Sequence, residues 1–303
     1  MVPLTIIAGF LGAGKTSLLN HILTHNKRRR ITALVNDFGA LSIDAELIAA
    51  QEANQITLAN GCVCCSINDD LAVGLAQALD ASPAPDHIII EASGVADPAR
   101  IALFADVDSA LRLDGIITLV DAAAHFIHAR DTYLADTYRR QIMCGDFFLI
   151  NKTDLITGDT LQKVQDDLRQ LRPDTPQVAI QYGVYECEAL LGFQKNDSPP
   201  FVPSPSLSSV PLTQKEHGLV HWSAHLPAIA RAEIQDKLQR LAPHLLRAKA
   251  ILQDGAGAYI IHYAGGRIDI IDYDGKPSGH FSIIGKPAMG APDELAKHFM
   301  RQN

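Results

Sequence analysis

The sequence predicts an α/β fold, a mostly parallel sheet covered by helices on both faces, with a smaller C-terminal α+β domain behind it. Three observations predict this. Short β-branched runs alternate with helical patterns through the first half of the chain. The runs are apolar throughout rather than alternating, as in strands covered on both faces. Each closes on polar or Gly residues at its C-terminal end, where open parallel sheets bind ligands.

Taken in order, Leu4–Ala8 reads as the first strand. A Gly-rich turn follows, then a helix with Leu18, Leu19, Ile22 and Leu23 on one face. Ile31–Val35, His87–Ile90, Ile116–Val120 and Phe147–Ile150 are the next strands. Lys27-Arg28-Arg29-Arg30 falls where the first helix ends, and attraction to its C-terminal dipole explains the basic run. Near residue 192 the texture changes: residues 192–211 hold five Pro and five Ser, a semi-rigid linker. The expected domains are therefore 1–191, a linker over 192–216, and 217–303. In the last domain, Leu219–His225 reads as a strand and Ile229–Leu241 as a helix. Ala258–Tyr263 and Arg267–Tyr273 flank Ala264-Gly265-Gly266 as a hairpin. Phe281–Ile284 reads as a strand, and Pro292–Met300 as a helix with Pro near its start.

Composition bounds the function. The chain has 303 residues, 47% of them apolar, so it folds rather than staying disordered. Lys and Arg number 26 against 34 Asp and Glu, a formal charge of −8, which repels nucleic acid and anionic membrane. No apolar run reaches the ~18 residues of a spanning helix, and Met1-Val2-Pro3-Leu4 lacks the charged start of a secretory signal. Five Cys, three of them within four positions, do not make a disulfide framework. The expectation is a soluble, acidic, cytoplasmic protein.

Gly9-Phe10-Leu11-Gly12-Ala13-Gly14-Lys15-Thr16 fits G-x-x-x-x-G-K-[ST] between a strand and a helix, the context of a P-loop NTPase. Gly9, Gly12, Ala13, Gly14 and Ser17 are expected around the phosphates through their backbone N–H groups, helped by the helix dipole. Lys15 would neutralise the β- and γ-phosphates, and Thr16 would ligate Mg²⁺. Asn151-Lys152-Thr153-Asp154 stands at a strand end. Its Asp154 carboxylate can accept from N1–H and the exocyclic amine of guanine, a donor pair adenine lacks, which favours GTP over ATP. Glu91, ending the run His87–Ile90, is the acid that would hold Mg²⁺ or its waters, and Gly94 lets backbone approach the γ-phosphate. Asp37 is a switch candidate, with turn capping as the alternative. Asp121 also ends a strand, where a role and mere capping weigh equally.

Gly61-Cys62-Val63-Cys64-Cys65 puts three thiols together, a set suited to Zn²⁺, Cu⁺ or Co²⁺. No second C-x-x-C supplies a fourth ligand, so the site would be open and exchangeable. Buried apolar cysteines, or a Cys62–Cys65 redox pair, are the alternatives. His125 and His128 are read as surface residues. That pair has no third ligand in sequence; His221 and His225 share a strand face with Ser223, a secondary metal contact there being the minor reading.

Together these residues resemble the CobW-type family of P-loop GTPases, whose members are cobalamin-synthesis proteins, nitrile hydratase activators and zinc-responsive metallochaperones. The resemblance rests on the phosphate loop, Val35-Asn36-Asp37-Phe38-Gly39, Asn60-Gly61-Cys62-Val63-Cys64-Cys65, Glu91-Ala92-Ser93-Gly94-Val95-Ala96-Asp97-Pro98, Val120-Asp121 and Asn151-Lys152-Thr153-Asp154. Leu245–Ala250 and Phe281–Gly285 resemble the family's accessory domain. The resemblance implies GTP hydrolysis assisted by Lys15, Asp37 and Glu91, with Mg²⁺ at Thr16, Asp37 and Glu91. It implies a GTP-gated transition-metal site at Cys62, Cys64 and Cys65, with Zn²⁺ first and Co²⁺ second. The implied partners are GTP and GDP, the metal ion and a client metalloprotein, a homodimer being admitted. Three features depart from the family: Ala40 stands where Glu is common, the linker has no His, and Cys144-Gly145-Asp146 replaces the usual Ala-Asp. A metal-free interaction switch and a P-loop small-molecule kinase are the rival functions.

Overall fold

A computed structural model describes residues 1–26, 28–35, 55–57, 66–191, 220–264, 266–290 and 292–300. These residues form two compact units, one within residues 1–191 and one within residues 220–300. Among them no helix is long and apolar enough to cross a membrane.

In the first unit the expected strands form, extended at their ends. β1 is Val2–Gly9, β2 Ile31–Val35, β3 Gln55–Thr57, β4 His87–Glu91, β5 Leu111–Asp121, β6 Phe147–Asn151 and β7 Gln177–Ala179. They make one seven-stranded sheet in the order β3-β2-β4-β1-β5-β6-β7. Every pairing is parallel. The helices are α1 (Lys15–His25), α2 (Ser66–Asp80), α3 (Pro98–Val107), α4 (His125–Arg130), α5 (Ala135–Cys144), α6 (Gly158–Leu171) and the single turn α7 (Cys187–Leu190). Leu4, Ile6, Leu34, Ile88 and Ile90 pack with Leu71 and Leu75 of α2 and with Ile101 and Ala102 of α3. The alternate residues Ile7 and Ile89 are buried as well, so both faces are covered. Because all strands run the same way, the ends of β1, β4, β5 and β6 lie on one edge. The chain leaves β1 to one side and returns to the other at β5, which makes that edge a crevice.

β5 begins five residues before the expected run, because Arg112 and Asp114 interrupt its apolar pattern. Asp114 is buried beside Thr5 and His87; Thr5 Oγ1 lies 2.7 Å from His87 Nε2 and donates to Asp114 Oδ2 at 3.4 Å. Cys144-Gly145-Asp146 also finds its place. Asp146 Oδ2 accepts the Ile116 N–H at 3.0 Å, and a Cβ on Gly145 would lie 2.5 Å from the Phe148 ring. Burial pushes the Cys144 thiol up to about 12, away from the nucleophilic thiolate form. The basic run does not simply cap α1: Arg29 donates to the Leu191 carbonyl, and Arg30 pairs with Asp86 at 2.8 Å.

The second unit is a five-stranded antiparallel sheet in the order β11-β10-β9-β12-β8. Its strands are β8 (Val220–His225), β9 (Leu245–Asp254), β10 (Gly257–Ala264), β11 (Arg267–Asp272) and β12 (His280–Gly285), with α8 (Arg231–Leu241) and α9 (Pro292–Met300). Trp222, Tyr259, Phe281 and Ile283 pack with Ile234 and Leu238 of α8 and with Leu295 and Phe299 of α9. The hairpin Ala258–Tyr273 forms as expected, Gly266 taking a φ of 80° in its turn.

His87 and His128 are buried, and desolvation holds both down at about 4. Both are neutral in the fold, whereas an unfolded imidazole titrates near 6.5. The unfolded chain therefore binds protons first as pH falls. The stability involved is complete above about pH 6.5 and is lost towards pH 4. By pH 5 each group costs about 2 kcal/mol. Urea unfolding at pH 7.5 and pH 5 should show this drop, and His87→Gln should make it shallower. An unfolding free energy that does not change between these pH values contradicts the assignment.

Candidate functional site

The phosphate loop joins β1 to α1 as a backbone cradle. Gly9, Gly12 and Gly14 hold φ values of 137°, 77° and 104°, which only glycine takes without strain. No side chain caps α1, so its first N–H groups turn into the loop as anion donors. Lys15 is buried, and its ammonium donates to Gly9 O at 2.9 Å and Phe10 O at 3.2 Å. Ala13 is buried in the loop and Ser17 lies in the first turn of α1. From beneath, Phe10 packs on the His128 and Tyr138 rings at 4.6 and 5.9 Å.

Glu91, at the end of β4, reaches the same cradle. Thr16 Oγ1 donates to Glu91 Oε1 at 2.8 Å. A hydroxyl and a carboxylate in contact beside an anion cradle are the donor set that Mg²⁺ with phosphate requires, so these residues fit that ion. The following loop closes against the cradle: a Cβ on Gly94 would lie 2.9 Å from Leu11 Cα. Gln141 of α5 holds this loop, donating to Gly94 O at 3.1 Å and Ala96 O at 3.0 Å. Sequence reading missed Gln141, since a lone Gln in a polar helix carries no signal. Asp37 lies outside the described residues, as do Cys62, Cys64 and Cys65.

The base side is built on Asn151. Its Nδ2 donates to Ala13 O at 2.9 Å, and its Oδ1 accepts from Gly183 N at 3.1 Å. One amide thus joins the phosphate loop to the turn after β7. In that turn Tyr182 and Gly183 both take positive φ, 57° and 70°. This turn was also missed, although Gly183, just past an apolar run, is a turn signal. Lys152, itself at φ 63°, bonds Asp121 Oδ2 at 2.7 Å, while Asp121 Oδ1 accepts the N–H groups of Ala123 and Ala124 at 3.0 and 3.2 Å. Asp121 is thus both cap and ion-pair partner. Asp154 is exposed in the 3₁₀ turn Thr153–Leu155.

The reading of His125 and His128 as surface residues is overturned. They are 1% and 7% exposed, because α4 turns inward against α5 and α6. His125 Nδ1 lies 2.8 Å from Tyr138 Oη, and its Nε2 lies 2.9 Å from Asp167 Oδ2. Among the described residues no group of three or more His, Cys, Asp or Glu gathers to hold a metal.

Comparison with known proteins gives the chain a family. The family model described as CobW/HypB/UreG, nucleotide-binding domain, matches residues 3–179. The chain belongs to the CobW/HypB/UreG family. Relatives of this CobW-type chain include a zinc chaperone CobW from Sinorhizobium sp, 34% identical over 195 residues, 55% of each chain. The zinc chaperone YjiA of Escherichia coli is 35% identical over 191 residues, 60% of this chain and 58% of the relative. The zinc-regulated GTPase metalloprotein activator 1 of Schizosaccharomyces pombe is 33% identical over 192 residues, 60% of this chain and 46% of the relative. The chain thus spans about half the length of the curated relatives it matches. The crystal structure of Zn(II)-bound YjiA GTPase is 22% identical, covers 99% of both chains and has a TM-score of 0.48.

Asn151 gives the site of this CobW-type protein a direct test. Asn151→Ala removes two buried hydrogen bonds and leaves their partners unsatisfied, a cost of about 2 kcal/mol or more. Titration with a fluorescent GDP analogue should read the share of this cost that binding has to restore, an affinity loss of up to roughly 30-fold. Unchanged affinity would remove Asn151 as the link between the loops.

Proposed function

We propose that this chain is a GTP-hydrolysing metallochaperone. It takes up a transition metal, zinc foremost, at Cys62, Cys64 and Cys65, and delivers it to a client protein under control of the bound nucleotide. The observation that carries the nucleotide half is the contact of Thr16 with Glu91 at 2.8 Å across the phosphate loop, beside the Asn151 bridge. The zinc half is supported by the three clustered thiols and by the relatives described as zinc chaperones.

In this reading the first N–H groups of α1 and Lys15 cradle the β- and γ-phosphates. Mg²⁺, when bound, supplies charge for the phosphoryl oxygens, and Thr16, Glu91 and Asp37 would hold it or its waters. Asn151 sets the distance between phosphate and base loops, and Asp154 accepts from the guanine edge. Water attacks the γ-phosphorus and the β–γ bridge bond breaks, leaving GDP and inorganic phosphate. No Arg belongs to the motifs, so unassisted turnover is slow. The thiols are those of a reducing compartment, consistent with a cytoplasmic setting.

The guanine assignment predicts a base switch. In Asp154→Asn the amide offers a donor where guanine also has one, whereas xanthine has a carbonyl there. GTP affinity should fall by roughly 100-fold or more while xanthosine triphosphate gains. A variant that keeps its GTP preference would place the base elsewhere.

The cargo is tested by competing Zn²⁺ against a chromogenic chelator, with Mg²⁺ and a non-hydrolysable GTP analogue and again with GDP. Tight one-to-one binding is expected with the analogue and weaker binding with GDP, both abolished in Cys64→Ala. Equal zinc affinity in both nucleotide states would end the gated-delivery reading, and undiminished binding in Cys64→Ala would end the thiol assignment. Co²⁺ in the same titration ranks the two ions.

A further inference from the structure

Helix α1 ends in two imidazoles whose hydrogen bonds are those of metal-ligand histidines. His21 and His25 are four residues apart and share a helix face. Their ring centroids are 4.2 Å apart, with planes inclined at 33°. Each ring uses one nitrogen on a backbone carbonyl. His21 Nε2 donates to Tyr185 O at 3.0 Å, and His25 Nδ1 donates to His21 O at 2.9 Å. A carbonyl only accepts, so these nitrogens carry the protons. In the neutral rings the lone pairs then sit on His21 Nδ1 and His25 Nε2.

An N–H given to a carbonyl is how metal-binding histidines fix tautomer and ring orientation. The backbone beside His21 is packed as well. Cys187 Sγ lies 3.9 Å from His21 O and 4.0 Å from Tyr185 O, so the segment 185–187 packs on this turn of α1. His25 is exposed and His21 partly so, which opens the pair to solvent.

We propose that His21 and His25 form a second transition-metal site, distinct from the thiols, for a divalent first-row ion such as Zn²⁺, Ni²⁺ or Co²⁺, with water completing its coordination. Two protein ligands make it an open, exchangeable site rather than a structural one. It shares no residue with the nucleotide or thiol sites. It lies on the helix whose other end carries the phosphate loop. The competing account is that His25 merely answers the helix C-terminal dipole. That account gives the ring no metal affinity.

The test uses the full chain with Cys62→Ser, Cys64→Ser and Cys65→Ser, so that thiol binding is removed whatever its role. Zn²⁺ is titrated against a chromogenic chelator, and ¹⁵N resonances of the histidine rings are followed. One zinc per chain at micromolar affinity is expected, with His21 Nδ1 and His25 Nε2 the nitrogens that move. His25→Gln should weaken this zinc by about 10–100-fold at unchanged nucleotide affinity, which also shows that the variant folds. Three results overturn the proposal: no zinc bound by the Cys-substituted chain, zinc affinity unchanged in His25→Gln, or ring nitrogens that stay put at saturation. Failure of the thiol reading would appear separately, as zinc affinity unaltered by the serine substitutions.

Discussion

The site depends on close approaches at four glycines, three of them of backbone to backbone and one of the Asn151 side chain to backbone. At Gly9 an added Cβ would lie 2.5 Å from Leu119 O, and at Gly94 2.9 Å from Leu11 Cα. At Gly14 the space is taken by the Asn151 amide, and at Gly183 it is closed by Leu18 N at 3.0 Å. These contacts join β1, β4, β5 and β6 and the turn after β7 at one edge. A parallel sheet is what brings those ends to the same side. Asn151 is both spacer and bridge, filling the room that Gly14 leaves and bonding the loops on either side of it.

Around the loops stand polar side chains of α4, α5 and α6, most of them buried. His125 spans Tyr138 and Asp167, Gln141 holds the carbonyls of Gly94 and Ala96, and the His128 ring supports Phe10. Desolvation lowers both imidazoles, while Asp167 pulls His125 back towards the charged form. Buried groups of this kind are costly unless paired, and once paired they allow few alternative arrangements. Through Phe10 and Gln141 these side chains touch the phosphate loop and the loop after β4. Asp154, by contrast, stands exposed in its turn.

Much of the fold was legible because burial on both faces writes itself as uninterrupted apolar runs. Leu4–Ala8, Ile31–Val35, His87–Ile90 and Phe147–Ile150 are such runs, and each lies within an observed strand. The strands without such runs were the ones missed. Gln55–Thr57 and Gln177–Ala179 are three-residue edge strands, and Leu245–Asp254 carries Arg247 and Lys249 between its buried residues. An edge or one-faced strand needs fewer apolar residues, so its composition resembles that of a loop.

By itself the sequence determined the α/β class, the phosphate loop and the polar residues at the strand ends, because each depends on short-range spacing. A turn of three positive-φ glycines and a helix N-terminus are local chemistry. Only the tertiary structure decided that Glu91 meets Thr16, that Gln141 props the loop after β4, and that Gly183 answers Asn151. It also decided that His125 and His128 are buried, and that His21 faces Tyr185. Each of these partners is at least 32 residues from its counterpart, except that His125 and His128 owe their burial to how α4 packs. Spacing along the chain carries no record of such meetings. The approach of the loops depends on strand order, and strand order becomes definite only when the whole sheet has formed.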